Sequence, residues 1–221
     1  MIYLRTLTLP IALAALLAGC GGGDGGNAPP PPSFTTQISS DPAFDGDIQQ
    51  TSPGSFVVTQ GMSATVQSVF AGIDPASQTE YRAFLDFPLG GAGGIPPNAV
   101  IESASLDIFV NSLDPTTGSL PLLIELVSFQ PPTLIASDFD RTAQPALAYI
   151  SVNPPFTQTD VGTNVSIDVT ALMVEVQNRG LNDFQVRLLE QGPSIPTLME
   201  INDTTGADRP TRAPVLTVTY F

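Results

Sequence analysis

Carboxylates are the main reactive side chains of this 221-residue sequence. It contains no His and no Trp, and its seven basic residues, all arginines, stand against twenty-one Asp and Glu for a net charge of −14. Without His there is no Ser-His-Asp or Cys-His constellation and no imidazole metal site. Without Lys there is no Schiff base and no phosphate-loop lysine, and Gly90-Gly91-Ala92-Gly93-Gly94 reads as a turn. Glycoside hydrolysis needs only two carboxyl groups, and Asp86, Glu102, Asp107, Glu125, Glu190 and Glu200 all fall in or near expected strands. Alternation turns Asp86, Asp107 and Glu125 outward, where water favours the charged form. The expectation is therefore a protein that is not an enzyme.

Two other uses of polar groups fit better. Asp41, Asp45 and Asp47 cluster in the loop before the first expected strand, and Glu200, Asp203 and Asp208 near the last. If first and last strands are neighbours, Asp41, Asp45, Asp47, Glu200 and Asp203 can offer hard oxygen ligands to one structural Ca²⁺. The alternative is that both groups are solvated turn residues, which Asp favours. For a ligand, Arg82, Phe84 and Asp86 share a strand face, Gln185 and Arg187 share the same kind of face on another strand, and Phe109 adds a ring. The candidate ligand-binding set is Arg82, Phe84, Asp86, Phe109 and Arg187. Its alternative is a cross-strand pairing of Arg82 and Asp86 on a solvated or loop-covered face. Asp138, Asp140 and Arg141 read as a local salt-bridged loop.

The N-terminus reads as a targeting segment. Arg5 precedes an apolar run, Leu7–Leu17, of signal-peptide length and too short to span a bilayer comfortably. Leu17-Ala18-Gly19-Cys20, which holds the sole cysteine, resembles the lipobox of bacterial lipoproteins. The resemblance implies removal of residues 1–19, lipidation of Cys20 and, with Gly21 rather than Asp following, an outer-membrane address, facing either the periplasm or the medium. A diacylglyceryl group plus an N-acyl chain anchors stably where one chain does not. Residues 20–33 then form a disordered Gly/Pro tether, glycine-rich from Gly21 to Gly26 and proline-rich from Pro29 to Pro32. Cleavage leaves six arginines and a charge near −15, which repels nucleic acid and anionic lipid. The expected partners are the membrane, through the lipid anchor, and either a polysaccharide or another envelope protein.

Residues 34–221 must position these groups, and their pattern is that of strands. Tyr81, Ala83, Leu85 and Phe87 share a parity, as do Ala104, Leu106, Ile108 and Val110; Leu122, Ile124 and Leu126; Phe184, Val186 and Leu188; and Leu216, Val218 and Tyr220. Period two places one parity in a core. Weaker strands are expected at Phe56–Thr59, Ala64–Phe70, Asn164–Ile167 and Leu198–Asn202, between Gly- and Pro-rich turns. About nine strands predict an all-β jelly-roll β-sandwich. One short helix interrupts it. Val169, Leu172, Met173 and Val176 form an apolar stripe, with Asp168 as N-cap, Arg179 in the last turn and Gly180 beyond it.

Several motifs point to one family. Tyr81-Arg82-Ala83-Phe84-Leu85-Asp86-Phe87, then Ile95-Pro96-Pro97 to Ala104-Ser105-Leu106, then Ile167-Asp168-Val169-Thr170, Gly180–Val186 and the ending Pro214–Tyr220 together resemble the DNRLRE-type domain over residues 45–221. The resemblance implies a jelly-roll related to carbohydrate-binding modules. It predicts a non-catalytic envelope lipoprotein that binds polysaccharide, or else a structural or interaction lipoprotein without a small ligand. The family commonly carries central tryptophans, and here Phe139 and Tyr149 stand in that region.

Overall fold

Polar–apolar alternation gives each strand a face to bury, and pairing joins those faces into one core. The computed structural model describes residues 31–129, 133–192 and 195–221. The expected signal peptide, Cys20 and residues 21–30 of the expected tether lie outside the described residues. In chain order the strands are β1 (Phe34–Ser39), β2 (Gly46–Ser52), β3 (Ser55–Gln60), β4 (Ser68–Ile73), β5 (Glu80–Pro88), β6 (Ile101–Asp114), β7 (Ser119–Leu120), β8 (Leu122–Val127), β9 (Ala148–Ser151), β10 (Phe156–Thr157), β11 (Asn164–Asp168), β12 (Asp183–Glu190), β13 (Leu198–Asn202) and β14 (Val215–Tyr220). Helix α1 spans Thr170–Arg179 and the single turn α2 spans Arg209–Arg212.

Twelve strands form a curled antiparallel sheet in the order β1-β14-β6-β13-β4-β5-β12-β8-β9, with β11 along β6 and the β2–β3 hairpin along β5, while β7 and β10 pair separately. The first half of β6 runs between β14 and β11, and its end pairs with β13. Curling brings the two halves face to face as the expected all-β sandwich. The first and last strands are neighbours, paired from Phe34↔Tyr220 to Ser39↔Val215. Leu85, Phe87, Leu106, Ile108, Ile124, Leu126, Val186, Leu188, Leu216 and Val218 meet in one core.

Helix α1 buries Leu172, Met173 and Val176 against the sandwich. The N-cap position falls to Val169, which has no side-chain cap bond, rather than to Asp168; Asp168 lies one residue further back, where its Oδ1 accepts the Thr170 amide at 2.9 Å. Gly180 takes the left-handed conformation at its end (φ 62°), where a side chain would be strained.

Two expectations need correction. β1, β2, β7, β9 and β10 are strands that alternation did not mark, and β4 begins at Ser68 rather than Ala64. In β1 and β2 only Ile38 and Ile48 are both apolar and buried, so pairing rather than periodicity fixes them. The second correction concerns the outward parity. Phe84, Asp86, Glu125, Gln185 and Arg187 are all buried, not exposed to water. The chain after β8 returns over this outer face and closes a second small core of Ile48, Phe84, Val127, Phe129, Leu134 and Phe139, with Phe56 packed against it.

Candidate functional site

Three antiparallel strands place the polar groups of the covered face side by side. Arg187 on β12 is opposite Phe84 on β5 and Glu125 on β8, and Gln185 is opposite Asp86. Arg187 is fully enclosed. Its Nε donates to Glu125 Oε2 at 2.8 Å, and its two terminal nitrogens donate to the carbonyl oxygens of Asp138 (2.6 Å) and Gln144 (3.0 Å). The half-exposed Arg141 reaches the other Glu125 oxygen at 2.5 Å. One buried guanidinium therefore holds the covering segment down by its main chain, and one carboxylate serves two arginines. Burial pulls the Arg187 guanidinium below its ordinary value, while Glu125 acts to raise it.

Asp86 belongs to the same layer. Its Oδ1 accepts from Gln185 Nε2 at 2.7 Å, and Gln185 Oε1 in turn accepts the Phe129 amide. Burial pushes the Asp86 carboxyl up to about 6. The expectation that outward parity keeps this group ordinary is thus overturned, because the cover removes the water that would stabilise its charge.

The margin of this face is open beside Arg82. A cleft of about 310 Å³ is lined by Gln50, Phe56, Arg82, Phe139, Asp140 and Arg141. The Arg82 guanidinium stacks 3.9 Å from the centre of the Phe139 ring, bonds the Phe139 carbonyl and pairs with Glu80 at 2.7 Å. Phe56 lies beside Phe139 at 5.1 Å between ring centres. Of the five residues expected to bind ligand, Arg82 alone lines this opening. Phe84, Asp86 and Arg187 are beneath the cover. Phe109 lies on β6, half-buried, 5.0 Å from the Arg212 guanidinium. Phe56, Phe139 and Arg141 were the missed members. The Asp138–Arg141 segment is not the local salt-bridged loop expected: Asp140 accepts from Thr142, and the partner of Arg141 is Glu125 on another strand.

No family model matches the chain, and no curated relative matches it either.

The five acidic residues expected to share a metal do not converge. Asp41 accepts the Ala43 amide, Asp47 takes a backbone bond from Phe70, and Glu200 is held by Ser68, Asn111 and Ser112. Two of them do meet. Asp45 follows β1, Asp203 sits in the break between β13 and β14, and both are fully buried. Asp45 Oδ1 accepts the Asp86 amide at 2.7 Å, and Asp203 Oδ1 accepts from Arg209 at 3.2 Å and Ser40 at 3.4 Å. Their Oδ2 atoms have no hydrogen-bond donor. Burial, and then the charge of Asp203, push the Asp45 carboxyl well above its usual range. The donor set is hard oxygen, as Ca²⁺ requires, but it supplies two carboxylates rather than five.

A second opening, of about 360 Å³, lies between β9 and β11. Val152, Phe156, Val165 and Ile167 give it an apolar floor, with Asp160 and Asp168 also lining it.

Proposed function

We propose that this chain is a non-catalytic lipoprotein of the cell envelope. Cys20 holds it at the outer membrane, and its sandwich binds polysaccharide in the cleft between Arg82 and Arg141. One observation carries the binding reading. The planar Arg82 guanidinium, stacked on the buried Phe139 with the half-buried Phe56 beside it, backs a cleft flanked by the polar ends of Gln50, Asp140 and Arg141. Flat apolar faces with flanking donors suit sugar rings. The resemblance to DNRLRE-type domains supports the same reading. The non-catalytic part rests on access: Asp86 and Glu125, which face the right way for chemistry, are sealed under the cover.

The calcium expectation narrows to a proposal for one pair. Asp45 and Asp203 hold either a shared proton or Ca²⁺ between their unpartnered oxygens, the two competing for the same place.

The second reading, an envelope protein that engages another protein and no sugar, is favoured by the cover itself, which hides most of the expected ligand face. Affinity electrophoresis of the mature chain through polysaccharide gels separates the two. Retardation by at least one polysaccharide, reduced in Arg141→Ala, supports sugar binding. Unchanged mobility in every gel favours the second reading.

A further inference from the structure

Exposed apolar side chains collect where the tether joins the domain. Phe34, Val100 and Phe221 are 55, 53 and 44% exposed. Phe34 pairs with Tyr220 across β1 and β14, their rings 6.0 Å apart. Val100 and Phe221 exchange both backbone bonds, at 2.9 and 3.1 Å. All of these residues therefore lie at one end of three adjacent strands.

Their faces matter. Tyr220 follows the inward parity of Leu216 and Val218, and Phe34 is opposite it on the same side. Alternation sends Phe221 to the other side, and Val100, bonded directly opposite, goes with it. The sheet end is apolar on both faces, like a wedge. A flat protein surface covers only one face of such an end, whereas a fluid apolar phase surrounds both. Glu102, next to Ile101 on the same strand, accepts from Ser33 at 2.9 Å.

Position supplies the occupant. Phe34 is the first strand residue after the tether, and residues 21–33 separate it from Cys20. Thirteen residues reach at most about 45 Å, and a domain of this size is about 40 Å across. The wedge end is the end at which the tether enters the domain.

We propose that the Phe34–Val100–Phe221 end rests in the surface of the membrane that carries the lipid anchor. The inference rests on the reading of Cys20 as lipidated. With a charge near −15 and no basic group at the wedge, the surface it fits is zwitterionic, since anionic lipid repels the domain.

The test uses the full lipidated chain in phosphatidylcholine vesicles. The sequence has no Trp, so Phe34→Trp gives a single indole reporter. Tyr149→Trp, on the exposed edge strand β9, is the control. The expected result is blue-shifted emission from Phe34→Trp, quenched at least twofold by acyl-brominated lipid, with Tyr149→Trp unshifted and unquenched. Val100→Ser with Phe221→Ser should relieve the quenching. Vesicle-bound protein whose Phe34→Trp emission matches that in buffer overturns the docking and leaves lipidation standing. A chain that does not float with vesicles, and lacks lipid mass on Cys20, overturns both. A shift that grows with protein concentration and ignores brominated lipid identifies a second copy as the occupant, and overturns the proposal.

Discussion

Asp45 and Asp203 face each other inside the sandwich with one oxygen apiece that no donor reaches. Two ionised carboxylates in that place repel, so the folded chain favours a proton between them, which would make the hydrogen bond that neither anion can donate. Substituting Asn for Asp45 keeps Oδ1 for the Asp86 amide and turns the unpartnered oxygen into a donor toward Asp203. Asp45→Asn is expected to raise stability at pH 8 by about 1–2 kcal/mol, a charge-assisted bond replacing a repulsion, and to change little at pH 4. Denaturant titrations at the two pH values check it. A destabilised Asp45→Asn at pH 8 would mean that the pair is held by a cation.

The same sign applies to several other acids. Burial raises Asp47 to about 7 and Glu190 to about 7, the latter helped by the charge of Glu80, and raises Asp86 to about 6. A raised folded value contributes stability that is complete below the unfolded value, near 4, and is lost as pH rises through the folded one. The half-exposed Asp74 and the exposed Asp140 and Asp168 are lowered by hydrogen bonds to their own turns, and act oppositely, losing their contribution as pH falls below about 4. The melting temperature should therefore peak in mild acid and decline between about pH 5 and 8. Calorimetry across that range checks it, and a maximum at pH 8 contradicts it.

Arg187 is the fastener of the cover. Glu125→Gln leaves its guanidinium buried without a full counter-charge, and breaking such a pair costs about 3–5 kcal/mol. The hydrophobic double variant Arg187→Met with Glu125→Leu should lose less than Arg187→Met alone, because neither charge is then stranded. Proteolysis should move in step: the single variants expose the Leu134–Leu147 segment to cleavage under native conditions, and the wild type does not. Equal losses in single and double variants would show that the main-chain bonds, not the ion pair, set the cost.

Sugar binding, if it uses the open cleft, depends on groups at its rim. Arg141→Ala should weaken retardation in polysaccharide gels about tenfold or less, the effect of one polar contact. The same variant should lower stability only slightly, since Arg141 is half-exposed. Phe109→Ala should leave binding unchanged, because Phe109 lies in the other layer under Arg212.

The sandwich was legible wherever one face is apolar and the other polar, as in β6 and β14. The helix was legible too, because stripe and glycine coincide, although its N-cap is Val169 and not Asp168. The cover was not. Its attachments run from Arg187 and Arg82 to the main-chain oxygens of Asp138, Gln144 and Phe139, and a carbonyl leaves no mark in sequence. Glu125, Gln185 and Arg187 at outward positions look the same whether water or a returning segment lies over them. The acidic clusters show the same limit in another form. Residue types and an expected pairing of first and last strands pointed to shared carboxylates, but a turn bond at Asp41, a backbone bond at Asp47 and side-chain donors around Glu200 divert three of the five.

Calcium and the shared proton can be told apart by pH. Metal binding needs both carboxylates ionised, so affinity rises as the proton leaves. Calcium should raise the melting temperature at pH 8 and have little effect at pH 5, with EDTA reversing the gain, because a ligand bound only to the native state stabilises it. Asp45→Asn should abolish the response. Asp47→Asn should retain it, since the Asp47 carboxylate is committed to the Phe70 backbone rather than to the pair. The response should saturate at millimolar rather than micromolar metal, because two carboxylates fill only part of a coordination sphere of six to eight oxygens and Arg209 already competes for Asp203. Identical melting curves with calcium and with EDTA at pH 8 would assign the pair to the proton alone.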